Sequence, residues 1–187
     1  MTTASIIATE TPGSSRVHAD ALGAELALQP MQEAHIGQAV SLISRVMNPE
    51  EGGYAAQTLH LHFTSRKSGV DDGRILYVLT SGSRLAGVVG LHQYTWGPSE
   101  NVWLSWFALD PLLQGQGFAA RMLEAVMAEA RQHHFMKLFI ETYSTPEFAR
   151  ARAFYRAQGF AEVGGIPGWL PDGGSMVVLY KDLAQWA

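Results

Sequence analysis

Leu109-Asp110-Pro111-Leu112-Leu113-Gln114-Gly115-Gln116-Gly117-Phe118-Ala119-Ala120 is the stretch on which the fold of this chain turns. The run before it, Val102–Leu109, is apolar and aromatic-rich; it reads as a strand buried on both faces, stopped by Pro111. The run after it sets Ala119, Met122, Leu123, Val126, Met127 and Ala130 on one stripe, with Arg121, Glu124 and Arg131 opposite. That spacing predicts an amphipathic helix from Gly117 to His133. Glycines in such a strand-to-helix turn let the backbone approach a ligand, and the free N–H groups of the helix's first turn offer an anion site. A pyrophosphate is the natural guest, although a tight turn without a ligand would use the same glycines.

Two nucleotide patterns bear on this loop. Gly115-x-Gly117-x-x-Ala120 fits the dinucleotide fingerprint with alanine last, and Glu141, at the end of the next strand, could hold a ribose. Against it, Asp110 to Gln114 intervene where the fingerprint wants glycine directly after the strand, and the chain beyond Glu141 is too short for a second mononucleotide half. A P-loop is excluded because no Gly-Lys-Ser/Thr follows.

Working outward, residues 1–23 are rich in Thr, Ser, Ala and Gly without a sustained period and read as a flexible tail before a single domain over 24–187. A short strand at Glu25–Leu28 precedes a helix at Glu33–Met47, whose apolar stripe is Ile36, Val40, Ile43 and Met47. Asn48-Pro49-Glu50-Glu51-Gly52-Gly53 ends that helix, and a second covers Ala55–Ser65. Arg74–Thr80 and Leu85–Tyr94 form a hairpin around Ser81-Gly82-Ser83, and with Val102–Leu109 they make an antiparallel meander. Lys137–Thr142 follows the glycine-loop helix and is therefore expected parallel to Val102–Leu109 by a right-handed crossover. Thr145-Pro146-Glu147 opens a helix that runs to Gln158 with Gly159 as its stop. Phe160–Val163 and Met176–Tyr180 are the last strands, joined by the loop Gly164–Ser175.

The stretch Trp106–Lys181 resembles the GNAT N-acetyltransferase family. Leu109-x-Pro111 and Gln114-x-x-Gly117-x-Ala119 match that family's motif at the end of its fourth strand, and Phe154-Tyr155-x-x-x-Gly159-Phe160 looks like its tyrosine-bearing motif on the following helix. The resemblance implies an α/β fold: a mixed, mostly antiparallel twisted sheet of six to seven strands, flanking helices, and a parallel pair at strands 4 and 5 that splays apart. It further implies acetyl-CoA as cosubstrate, its pantetheine arm bonded to backbone near Phe107, Ala108 and Leu109. The pyrophosphate would sit on the amides of Gln114, Gly115, Gln116, Gly117, Phe118 and Ala119, with a side-chain donor from Gln114; Arg121 is either a phosphate partner or part of the helix's solvated face. Many relatives carry an asparagine seven residues before the tyrosine; this chain has Phe148 there, which removes the side chain expected to make that contact.

Acyl transfer to an amine needs a neutral nucleophile and a protonated leaving thiolate. An amine with a pKa of ~10.4 costs on the order of 4–5 kcal/mol to deprotonate at pH 7, so a base is useful. By its motif position Tyr155 is the candidate general acid. Glu141 is the leading base, although an ion pair with a neighbouring arginine would account for it equally, and His92 on the hairpin is a weaker candidate. Arg152 and Arg156 share a helix face and read as solvated. His60 with His62, and His133 with His134, are spaced too closely to share a helix face, so no metal site is expected. Trp96, Trp103, Trp106 and Phe107 read as core, while Trp169 anchors its Gly/Pro loop, walls the acceptor site or joins a dimer interface.

The 187 residues contain no cysteine, and 13 basic against 17 acidic side chains leave a formal net charge of -4. Disulfides and cysteine-ligated metals are thereby excluded, as is a thiol relay, so the acetyl group would pass directly to its acceptor or through another side chain. A broad nucleic-acid or anionic-membrane surface is disfavoured, since such binding needs a concentrated positive field. No apolar run spans a bilayer and Met1–Glu10 lacks signal-peptide character, so a cytoplasmic protein is expected, with a small-molecule or peptide amine as partner and a homodimer as one possible assembly. Two other functions remain open at this point: a non-catalytic acyl-CoA-binding module and, more distantly, a dinucleotide-binding oxidoreductase.

Overall fold

The computed structural model describes residues 16–17 and 26–184. The tail expected over residues 1–23 lies outside the described residues except at Arg16–Val17, which pair with Ala27 and Leu26. The elements run β1 (Leu26–Pro30), α1 (Ile36–Val46), α2 (Pro49–Lys67), β2 (Arg74–Ser81), β3 (Arg84–His92), β4 (Asn101–Leu109), α3 (Phe118–Gln132), β5 (Lys137–Tyr143), α4 (Ala149–Ala157), β6 (Ala161–Ile166) and β7 (Met176–Asp182). They form one sheet in the order β1-β2-β3-β4-β5-β7-β6, with Arg16–Val17 at its outer edge, and only β4 and β5 pair in parallel. The seven-strand mixed sheet, its meander and its parallel pair agree with the expectation. They exclude a doubly wound dinucleotide domain, whose sheet would be mostly parallel.

Alternation along the strands divides two layers of core. Val78 and Val88 face α1 and α2, packing with Leu42, Ile43, Ala55 and Leu59. Their neighbours Leu79 and Val89 face the other way, toward Leu123, Val126, Leu138 and Leu179. The predicted stripe of α3 is the buried one: Met122, Leu123, Val126, Met127 and Ala130 are all covered by the sheet.

Three expectations are corrected. The segment Asn48–Gly53 does not merely end α1; it opens α2 six residues earlier than predicted. Asn48 Oδ1 accepts the Glu51 amide at 2.8 Å, Pro49 takes the first helical position, and Glu50 and Glu51 complement the positive helix end. The strand at Ala161 continues to Ile166, shortening the following loop. Trp96 is not core: it is 83% exposed and stacks on Tyr94 with ring centroids 5.1 Å apart.

The central departure concerns β4. Its residues from Trp103 to Phe107 are half-buried rather than buried on both faces, because the sheet opens beside them. The β4–β5 ladder consists of Asn101↔Lys137, Val102↔Leu138 and Trp103↔Phe139. Beyond that point β4 follows β3 and β5 follows β7, whose pairing continues to Tyr143↔Met176. A bulge drives the divergence: Val88 pairs with Ala108 and Gly90 with Ser105, so Val89 alone faces both Trp106 and Phe107. Trp106 takes φ 49°, a left-handed conformation costing roughly 1–2 kcal/mol in a residue with a Cβ. Its indole Nε1 donates to Thr58 Oγ1 at 3.2 Å, which holds the bulge against α2.

Candidate active site

The opening between β4 and β5 is the mouth of a cleft of about 670 Å³. Trp103 to Phe107 of β4 form one side and Ile140 to Tyr143 of β5 the other. The C-terminal end of α1, the start of α2 and one face of α4 complete it.

At one end, the strand passes into the glycine loop, which is braced by its own residues. Asp110 is buried, and its Oδ1 accepts the Leu112 amide at 2.9 Å while Oδ2 meets Arg84 at 2.5 Å and Arg45 at 3.5 Å. Burial alone would raise its pKa, but the Leu112 amide and the Arg84 guanidinium hold the carboxyl below its ordinary value. The Gln114 side chain donates to Leu109 O at 3.1 Å, and Gln116 donates to Leu112 O at 2.7 Å. Gln114 therefore braces the turn, and its amide, expected to face the pyrophosphate, instead donates to Pro111 O at 3.2 Å.

Gly115 and Gly117 lie at φ 76° and 82°, where a side chain would be strained, and the chain turns through them into α3. The first amide of α3 returned to the backbone is that of Arg121, donating to Gly117 O. Among the described residues, the amides from Gly115 to Ala120 have no intramolecular acceptor. They form a cradle of donors at a helix N-terminus, suited to an anion. Arg121 is exposed one turn on, its guanidinium carbon 5.8 Å from the Phe118 ring centroid.

At the centre, α4 delivers Tyr155 to the cleft. Its ring is buried, with centroids 6.0 Å from Phe107, 5.3 Å from Phe154 and 5.9 Å from Phe160, and burial pushes its phenol pKa up. Glu141 and His92 line the same cleft. Desolvation raises the Glu141 carboxyl, and no ion pair holds it among the described residues, which removes the arginine-partner alternative. His92 is the poorer base: desolvation and the Arg74 cation bring its pKa down to about 4. The cleft thus brings together Tyr155, Glu141 and Phe107, while the loop amides follow the end of β4 and do not line it.

Other candidates fall elsewhere. Arg152 donates to the carbonyls of Tyr143 and Thr145, tying α4 to the end of β5, and Arg156 pairs with Glu162 at 2.6 Å. Phe148 packs edge-on against Tyr143 with centroids 5.1 Å apart and so lines the cleft with carbon where an amide was expected. Thr145 makes no capping bond. His62 Nδ1 lies 2.8 Å from Asp72, and no cluster of three metal-ligating side chains occurs among the described residues. Trp169 is 52% exposed and does not line the cleft. No described helix is long and apolar enough to cross a membrane.

Sequence reasoning missed Asp110, Glu51 and Thr142. An aspartate directly before proline at a strand end is a readable cap signal and could have revealed the first. Glu51 and Thr142 enter the cleft only through tertiary packing.

The acetyltransferase (GNAT) family profile matches residues 41–160, from the middle of α1 to the end of the tyrosine motif. The chain belongs to the GNAT acetyltransferase family. Solved structures agree at the level of fold. One from Desulfovibrio desulfuricans, assigned to the GNAT acetyltransferases, superposes with a TM-score of 0.76 at 19% identity, covering 85% of this chain and 99% of that one. An aminoglycoside 6'-N-acetyltransferase complexed with coenzyme A gives 0.68 at 13% identity, covering 86% and 98%. A ribosomal-protein-alanine N-acetyltransferase from Escherichia coli gives 0.65 at 17%, covering 87% and 96%. No curated protein sequence matches the chain. In this GNAT protein the profile takes in the bulged strand, the glycine loop and Tyr155, the parts whose geometry is described above.

Proposed function

We propose that this GNAT protein transfers the acetyl group of acetyl-CoA directly to a primary amine. The observation that carries the reading is the opened β4–β5 pair, with the unbonded loop amides after the end of β4 and Tyr155 of α4 lining the cleft. The amides of Gly115 to Ala120 hold the pyrophosphate, with Arg121 beside it, and β4 backbone at Phe107 to Leu109 receives the pantetheine arm along the edge that β5 has left. Family membership and the coenzyme A-bound neighbour support this placement. The acceptors of those two neighbours, an aminoglycoside and a protein alanine, support an amine as acceptor.

Glu141 accepts the proton of the incoming ammonium, and desolvation makes it a stronger base than an exposed carboxylate. The amine nitrogen then bonds to the acetyl carbon, the carbon–sulfur bond breaks, and the nitrogen gives up its second proton to solvent, as does Glu141 before the next turnover. Tyr155 donates its phenolic proton to the departing sulfur and recovers one from solvent; its raised pKa keeps it protonated at neutral pH. With no cysteine in the chain, no thiol carries the acetyl group between the two substrates.

Release of coenzyme A thiol from acetyl-CoA across a panel of amines tests the reading. Amine-dependent thiol release is expected, and binding of acetyl-CoA without release for any amine would contradict it.

A further inference from the structure

We propose that Thr58 is a positioning residue for the transfer: by holding the Trp106 indole from α2, it fixes the bulge of β4 that aims Phe107 at Tyr155. The proposal rests on the acetyl-transfer reading above and concerns a side chain that does not itself line the cleft.

Side-chain alternation along β4 shows what the bulge does. Val102 and Leu104 face the layer of core that holds α3 and α4, and strict alternation would turn Trp106 and Ala108 the same way. Phe107 and Leu109 face that layer instead, while Trp106 and Ala108 pack among the residues of α1 and α2. The extra residue at the bulge therefore reverses the two faces of the strand over its last residues. Phe107 reaches α4 only because of that reversal, and its ring lies 5.9 Å from Phe154 and 6.0 Å from Tyr155 between centroids. Without the bulge, β4 would carry the Phe107 ring to the α2 side and leave one wall of Tyr155 open.

The reversal is held from outside the strand. Trp106 sits at φ 49°, a conformation that a residue with a Cβ keeps only where its surroundings retain it. Its indole Nε1 donates to Thr58 Oγ1 at 3.2 Å. The Thr58 hydroxyl lies 3.0 Å from Tyr54 O and 3.2 Å from Ala55 O and donates its single proton there. What it turns toward β4 is a lone pair, the partner that an indole N–H needs. The α2 end of the link is firm, since Ala55 and Leu59 beside it are fully buried against the sheet. A chain of contacts thus runs from α2 through Trp106 and Phe107 to Tyr155, and its first link is one hydroxyl. Helix formation alone would favour alanine over threonine at position 58.

The test is kcat from thiol release, acetyl-CoA affinity by calorimetry and thermal melting on the full chain, with Thr58→Val, Thr58→Ser, Trp106→Phe and the combination of Thr58→Val with Tyr155→Phe. Thr58→Val keeps the side-chain shape and removes the acceptor, so kcat should fall about two- to tenfold, the scale of one neutral hydrogen bond. Acetyl-CoA affinity should hold, because Asp110 and Gln114 brace the glycine loop independently of the bulge. Thr58→Ser, which keeps the hydroxyl, should recover most of the lost rate, and Trp106→Phe, which removes the donor, should reproduce the loss. Because Thr58 acts through the placing of the Tyr155 hydroxyl, Thr58→Val should lower kcat no further in the Tyr155→Phe background. A bond of stability alone would lower the Tm of Thr58→Val and leave its kcat where it was. Unchanged kcat in Thr58→Val and Trp106→Phe, or an equal loss in both Tyr155 backgrounds, would overturn the positioning role while thiol release by the wild type kept the acetyl-transfer reading intact. No thiol release from the wild type with any amine would sink both.

Discussion

Replacing Tyr155 by Phe separates packing from chemistry at the centre of the cleft. The ring is held by Phe107, Phe154 and Phe160, and phenylalanine preserves all three contacts. The hydroxyl makes no hydrogen bond among the described residues, so its loss should change stability by less than about 1 kcal/mol. Acetyl-CoA binding, which we assign to the loop amides and the β4 edge, should not change. Turnover should fall by ~10²-fold or more, a barrier increase of about 2.7 kcal/mol, the size typical of a lost general acid. The wild-type enzyme should also hold its kcat through the ordinary tyrosine range near pH ~10, because burial raises the pKa and keeps the proton in place. Tyr155→Ala is the contrasting change: removing the ring from this packed position should cost about 3–5 kcal/mol and lower the Tm. The assays are thiol release across pH, calorimetric titration and thermal melting on the three proteins. An unchanged kcat in Tyr155→Phe, with normal acetyl-CoA affinity, would remove the hydroxyl from the mechanism.

Further outcomes follow from the loop and the base. If Glu141 is the base, kcat/KM should fall as pH drops through its raised pKa, and Glu141→Gln should both lower the rate and abolish that acid limb; an unaltered pH–rate profile would reject the assignment. Gly117→Ala forces a side chain into φ 82°, a strain of roughly 1–2 kcal/mol, and the shifted amides should weaken coenzyme A binding about tenfold in calorimetry without altering KM for the amine. Asp110→Ala should destabilise the fold by about 1–2 kcal/mol, chiefly through the lost bond to the Leu112 amide, since both arginine partners are more than half exposed. The folded pKa of Asp110 lies below its unfolded value, so its contribution is complete above pH ~4 and fades as pH falls through the folded value. The Tm gap between wild type and Asp110→Ala should therefore narrow on acidification.

Elements decided by local pattern were readable in advance. The stripe of α3, the glycines of the loop and the hairpin turn each use a period or a backbone preference that neighbouring residues specify on their own. Asn48-Pro49 was misread because the same pair that stops one helix caps the next, and which role dominates depends on the Gly52–Ser44 contact between α1 and α2: a Cβ at position 52 would lie 1.8 Å from Ser44 Oγ. Composition could not separate Trp96 from Trp103, since burial of an aromatic is settled by the neighbouring strand. The double burial expected of β4 failed for a similar reason: the bulge at Trp106 depends on register against β3 and on Thr58 of α2, both remote in sequence. Of the site, the anion cradle and Tyr155 were legible as motifs. That Glu51 shares the cleft with Glu141 was not, because the two stand ninety positions apart and meet only when α2 and β5 pack.

Calorimetric titration of the purified protein with coenzyme A, acetyl-CoA and NAD asks directly whether the glycine loop is a coenzyme A site. One site should bind coenzyme A and acetyl-CoA, be weakened by Gly117→Ala, be indifferent to Tyr155→Phe, and not bind NAD. Binding of NAD without coenzyme A, or coenzyme A binding that Gly117→Ala leaves untouched, would contradict it.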